Sequence, residues 1–276
     1  MIVVNNVIEL KRLINQRIEE QGPNCDLNDI DVRRLTDMSF LFSNSPFTGD
    51  ISKWDVSRVK DMDYMFYGSQ FNGDISSWNV SSVESMHCTF AKSKFNGDIS
   101  NWDVSRVEVM SGMFANSQFN NDISKWDTSS VKNMYGMFEY SVFNGDISKW
   151  NVSKVESMLR MFSLSSFNGD ISQWDVSNVK DMNFMFNSSQ FNGDISDWNV
   201  GKVEDMGFMF SSSQFAGDLS KWDVSKVENM AGMFSDSKFN GDLSKWDTNN
   251  VRDMNGMFYL SPLNGHEPDW YRTELR

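Results

Sequence analysis

The chain has 276 residues, enough for one or two ordinary domains. It carries ten Trp, 19 Met and 22 Phe but only two His and two Cys, so a disulfide framework is excluded, and Cys25 and Cys88 have no metal-ligand spacing. The net charge of −13 argues against binding nucleic acid through its phosphates, which needs a basic surface, and no run of about 18 apolar residues is present to insert into a membrane.

Residues 1–26 read as an N-terminal cap. Met1-Ile2-Val3-Val4-Asn5-Asn6 lacks a basic segment followed by an apolar one, so no secretory signal is expected and a cytoplasmic location follows. Val7, Leu10, Leu13, Ile14 and Ile18 then form one apolar face at helical spacing. Asn5 or Asn6 is placed to cap the start of that helix, and Gly22-Pro23 to stop it.

Residues 27–262 are repetitive. Trp recurs every 24 residues from Trp54 to Trp270, and Phe keeps the same period from Phe47 to Phe239. Every Met but Met1 falls in one of two columns, Met38 to Met254 and Met65 to Met257, the second preceded by Leu41 and interrupted by Thr89. A half copy, Asp31 to Pro46, precedes nine copies of F-N-G-D-I-S-x-W-D-V-S-x-V-x-x-M-x-x-M-F-x-x-S-x, which run over 47–262 without insertion or deletion. Such regularity means coils that stack on one another.

Within one coil, Lys53-Trp54-Asp55-Val56 alternates polar and apolar, as a half-buried strand does, with Trp54 and Val56 inward. Val59, Met62, Met65 and Phe66 fall at helical spacing. Ser81…Glu84, Ser105…Glu108, Ser153…Glu156 and Ser225…Glu228 have the spacing of capping boxes. The expectation is an α/β solenoid of strand-turn-helix coils with parallel stacked strands. Residues 263–276 leave the repeat and would form the C-terminal cap.

The unit V-x-x-M-x-x-M-F-x-x-S-x-F-N-G-D-I-S-x-W-D-V-S resembles the BspA-like family of bacterial leucine-rich repeat proteins, and within it the mycoplasma-type surface repeat of unknown function. Val59, Met62, Met65-Phe66 and Ser69 match that family's V-x-x-I-x-x-A-F-x-x-C, and Ile51 and Trp54 stand for its strand residues. The resemblance spans about residues 27–262. It implies a leucine-rich-repeat-like solenoid, a role in adhesion or protein recognition, no catalytic residues, and a secreted or surface-anchored location.

The residues themselves offer little chemistry. The Asp column from Asp50 to Asp242 would stack carboxylates about 5 Å apart, where like charges repel. Acceptance of turn amides would offset that repulsion. Calcium is the functional alternative, although the nonapeptide of calcium-binding β-helices is missing, and nine equivalent carboxylates give none a reason to act as a glycosidase acid. The Trp and Met columns read as core, and the outward columns through Lys53 and Asp55 as a solvated face. The Ser column from Ser45 to Ser261 has no recurring His beside it, and no nucleophile motif occurs, so no enzyme and no cofactor is expected.

Departures from the internal consensus are more informative. Tyr135 and Leu159 share one column on adjacent coils, Tyr140 and Leu164 share another, and Val142 lies two residues beyond Tyr140. This apolar cluster is the expected partner-binding site. Tyr64, Phe184 and Phe208 form a second, weaker set. The expected function is a non-enzymatic protein-binding scaffold; an acidic decoy that blocks a basic protein surface, or a surface adhesin, are the alternatives. Partner and oligomeric state are open at this point.

Overall fold

The computed structural model describes residues 1–272; residues 273–276 of the expected C-terminal cap lie outside the described residues. Strand β1 (Ile2–Val3) pairs in parallel with β2 (Ile30–Asp31), and between them lies helix α1 (Val7–Gln21). Asn6 caps α1, its side chain accepting the backbone N–H of Glu9, and Gly22 ends it at φ 88°, in the left-handed region that glycine adopts without strain. Leu10 and Ile14 of α1 are buried against the first coil. No helix among the described residues is long and apolar enough to cross a membrane.

The rest is a repeat protein whose 24-residue coils stack. Isolated parallel bridges link Asp37 to Asp61, Asp61 to Ser85, and so on to Asp253. Inside runs one aromatic and methionine core. Phe66 stacks on Phe90 at 5.4 Å, Phe71 on Phe95 at 6.3 Å and Trp54 on Trp78 at 6.4 Å. Met62, Met65, Phe66, Phe71 and their equivalents are fully buried.

The coil differs from the strand-turn-helix unit expected from its pattern. Among the described residues, α1 is the one α-helix, and the repeats are chains of turns. The inward residues are those the alternation and spacing predict: Trp54, Val56, Val59, Met62, Met65 and Phe66 are buried, while Lys53 and Asp55 are exposed. The backbone that carries them is different. Turns close from Trp54 N–H to Ile51 O, Val59 to Val56, Met65 to Met62, Tyr67 to Tyr64 and Ser69 to Phe66. Consecutive three-residue closures put side chains on one side at i, i+3 and i+6, the spacing that reads as a helix in sequence.

Two features prevent a helix. Tyr64 (φ 56°) and Gly68 (φ 64°), and their equivalents in every coil, are left-handed. The N–H groups of Met62, Tyr64, Phe66 and Gly68 do not turn back to i−4; they donate to the carbonyls of Ser85, His87, Thr89 and Ala91 on the next coil. The expected capping boxes are likewise replaced. Ser81 donates its N–H to Asn79 Oδ1, and Glu84 N–H goes to Lys60 O of the preceding coil.

Side chains close the turns. In Asx turns, Ser52 N–H donates to Asp50 Oδ1, Ser57 N–H to Asp55 and Asp63 N–H to Asp61, and Phe71 N–H donates to Ser69 Oγ. Each Trp indole N–H reaches the preceding coil: Trp78 donates to Ile51 O and Trp102 to Ile75 O, both at 3.1 Å. A buried polar group left unpaired would cost about 1–3 kcal/mol, so this bond is what allows Trp to fill the core.

Candidate functional site

The stretch from Asp61 to Gln70, where coils bond to one another, carries its outward side chains in columns through Asp63, Tyr64, Tyr67, Gly68 and Gln70. We call this the ladder face. On the other sides the coil presents polar residues. Their charges are locally paired, as in Lys60–Glu84, Lys132–Glu108 and Lys180–Glu156, at 2.7–2.8 Å across adjacent coils.

The Asp50-type column belongs to these polar sides and is itself unchanged from Asp50 to Asp242. Asp74, Asp98, Asp146 and Asp170 are each held below the ordinary carboxylate value, first by the backbone N–H and then by the hydroxyl of the Ser two residues on. The donated N–H groups outweigh the repulsion between neighbouring carboxylates, so the column is turn structure.

Nearly all exposed large apolar side chains of the repeats lie on the ladder face. They are Phe40, Tyr135, Tyr140, Val142, Leu164 and Phe208, with Tyr259 and Leu260 at the C-terminal end; the remaining ones, Met1, Ile2, Val3 and Ile8, are in the N-terminal segment. The expected cluster is thus placed on one face. Tyr140 is 57% exposed and Leu164 39%, on adjacent coils, with Tyr135 and Val142 exposed beside them and Leu159 half-buried. The second set is also here. Phe184 stacks on Phe208 at 4.8 Å, and Arg160 lies over the Phe184 ring at 4.7 Å while also pairing with Glu139 at 3.1 Å. Tyr64 is on the same face but far from that pair, and stacks instead on Phe40 at 4.7 Å.

Reading by pattern missed Phe40, Tyr67, Tyr259 and Leu260, although the same column comparison would have shown them. It also missed a groove of about 290 Å³ lined by Tyr67, Cys88, Ala91, Lys92, Ala115, Asn116, Glu139 and Tyr140. Ala91 and Ala115 are small where Tyr67 and Glu139 in the same column are large, and this leaves the hollow. At its rim Lys92 lies over the Tyr67 ring at 5.3 Å. Next to it, Tyr64 Oη and His87 Nε2 are 2.8 Å apart, and His87 Nδ1 faces the carbonyl of Ser111 at 3.0 Å. Both ring nitrogens of His87 are therefore occupied by the fold. Burial raises the Cys88 thiol above its ordinary value, which makes it a poor nucleophile. The other free thiol, Cys25, is buried. No three His, Cys, Asp or Glu among the described residues are grouped to hold a metal ion.

Several exposed apolar residues sit at left-handed positions. Tyr140, Leu164 and Phe208 have φ of 55–56°, as does the half-buried Phe184. Glycine, asparagine, serine or aspartate stand in the same two columns at Gly112, Asn116, Ser188 and Asp236, and Cys88, Lys92 and Arg160 occupy them as well. A bulky side chain at such a position is conformationally unfavourable and, being exposed, contributes little core burial to offset that.

No curated protein and no solved structure matches the chain. The family model described as Mycoplasma protein of unknown function, DUF285, matches three times, over residues 9–118, 90–190 and 188–271. Those matches cover the stacked coils almost end to end, and the chain belongs to that repeat family.

Proposed function

We propose that this protein is a non-enzymatic protein-binding scaffold whose recognition surface is the ladder face. The observation that carries the reading is the segregation of exposed apolar groups. They gather on one face of the repeats, while the other faces vary almost only among polar residues, and several occupy backbone positions that disfavour them. A solvated face with no task would hold small or charged residues such as the Gly, Asn, Ser, Lys and Arg found in the same columns on other coils. The likeness of the unit to BspA-like repeats, which implies adhesion or recognition, points the same way.

The test is affinity capture from a lysate of the native source with the immobilised chain, between about 50 mM and about 500 mM salt. A Tyr140→Ser/Leu164→Ser double variant serves as control. Ser188 and Ser212 occupy the Leu164 column at φ 53° and 55°, so the variant keeps a backbone that serine already adopts. The wild type is expected to hold its partner across that salt range and the variant to lose it. Equal capture by the variant rejects the face. Capture that falls steeply with salt and ignores the variant identifies an acidic decoy instead.

A further inference from the structure

We propose that Asn264 is a site of spontaneous deamidation, and that stacking shields the chemically equivalent asparagines inside the repeats. The inference stands apart from the binding reading.

Asparagine followed by glycine occurs in a row through the coils, at Asn72, Asn96, Asn144, Asn168 and Asn192, and again near the C-terminal end, at Asn240, Asn255 and Asn264. Glycine has no Cβ, so its backbone nitrogen is open to the side chain before it. That nitrogen attacks the asparagine Cγ and gives its proton to solvent. The N–Cγ bond forms, the Cγ–Nδ2 bond breaks and ammonia leaves, which closes a cyclic imide. Water then opens the imide at one of its two carbonyls, leaving aspartate or its β-linked isomer. No oxidant, reductant or cofactor is consumed. The step needs a side chain free to swing onto the following nitrogen.

The stack removes that freedom in the row. Asn72 Oδ1 accepts the N–H of Asn96 at 2.7 Å, and Asn96 Oδ1 that of Asn120 at 2.9 Å. Asn144, Asn168 and Asn192 accept the N–H groups of Asn168, Asn192 and Ala216, each at 2.8 Å. The glycines are fixed as well. A Cβ on Gly73, Gly97, Gly145, Gly169 or Gly193 would lie 2.7–2.9 Å from the Phe ring two residues before, so each glycine already packs on that ring. Closing the imide there means breaking a bond between coils and lifting the glycine away, in coils with a neighbour on each side.

These restraints fail one by one toward the end. Asn264 N–H turns back to Ser261 O, so Asn240 Oδ1 does not receive it, although Gly241 still packs on Phe239. The Asn255 carbonyl accepts Gly232 N–H at 2.9 Å, which pins the peptide that would have to turn. Asn264 has neither restraint. It and Gly265 are exposed, and nothing lies within 4 Å of a Cβ placed on Gly265. The bond from His266 N–H to Leu263 O closes a local turn around the pair without tying it to another coil.

The test holds the folded chain, and the same chain unfolded in guanidinium chloride, side by side in mildly alkaline buffer. Digestion and mass spectrometry follow each Asn-Gly peptide with time. Unfolded, all the pairs are expected to convert at similar rates. Folded, Asn264 is expected to keep its unfolded rate and the five row asparagines to slow by about 10-fold or more, because each must first open a bonded, packed site. In an Ala216→Pro chain, which lacks the N–H that Asn192 Oδ1 accepts, Asn192 is expected to convert faster and Asn72 is not. Row asparagines that keep pace with Asn264 in the folded chain overturn the proposal, as does an Asn264 that lasts as long as they do. An Asn192 rate indifferent to Ala216→Pro overturns the shield assigned to the bonds between coils.

Discussion

Individual side chains in this protein are chosen by the turn they close. The column through Asp61 shows it best. Asp181 accepts the N–H of Asn183, as Asn133 accepts that of Tyr135 and Asn229 that of Ala231. Either residue supplies the oxygen, but the carboxylate also carries a charge. Burial, and then the like charge of Asp205, raises the Asp181 carboxyl above its ordinary value. A folded-state value above the unfolded one favours the protonated form, so the ionised group opposes folding near neutral pH, and that opposition disappears as pH falls below about 3.9. Asp181→Asn is therefore expected to raise Tm at pH 7 by roughly 1–3 °C, with no gain near pH 3. Thermal melts at the two pH values check this. The Asp50-type column has the opposite sign. Its values are lowered, so its contribution is present above about pH 3.9 and is lost below it.

Inside a coil, the left-handed positions decide the shape. Between Met62 and Ser69 the turns closed by Met65 and Ser69 have their third residues, Tyr64 and Gly68, at φ > 0, and the N–H groups left over point to the next coil. Leu164 (φ 56°) is poorly suited to that place, where asparagine is well suited and already stands at Asn44 and Asn116. Leu164→Asn is expected to raise stability by about 0.5–1 kcal/mol while weakening partner binding. Denaturant titration read beside a binding assay would check it, and a variant less stable than wild type would show that Leu164 is retained for packing. The two thirds of a coil that lack left-handed residues are held otherwise, by Asx turns and by the Trp indole N–H bonded to the coil before.

Across the full stack, each coil bonds almost entirely to its two neighbours. Removing Phe167 to Gln190 deletes one whole period and brings Ser166 to Phe191, so every column remains continuous. That variant is expected to fold and to melt cooperatively, within roughly 5 °C of wild type. Removing only 167–178 sets Phe and Trp columns against polar ones and is expected to leave the chain without a cooperative transition. Circular dichroism melts distinguish the two. The ends differ in kind. α1 covers the first coil, with Lys11 Nζ donating to Phe40 O, while at the other end Trp270 continues the Trp ladder on Trp246 at 6.2 Å.

Much of this was legible in the linear order of residues, because a repeat states its own alignment. The period, the inward columns and the Tyr140–Leu164 cluster follow from comparing one copy with the next, since burial has only two answers for each column, and the cap helix follows from the spacing of Val7, Leu10, Leu13, Ile14 and Ile18. The backbone path was not legible. Three-residue turn closures and a helix place Val59, Met62 and Met65 on one side alike, and what separates them is where the N–H groups go. That choice is made between coils: Met62, Tyr64, Phe66 and Gly68 give their N–H groups to carbonyls 23 residues on, which no single coil can supply. The same holds for the groove. Ala91 and Ala115 are unremarked alone, and become a hollow only when stacking places them between Tyr67 and Tyr140.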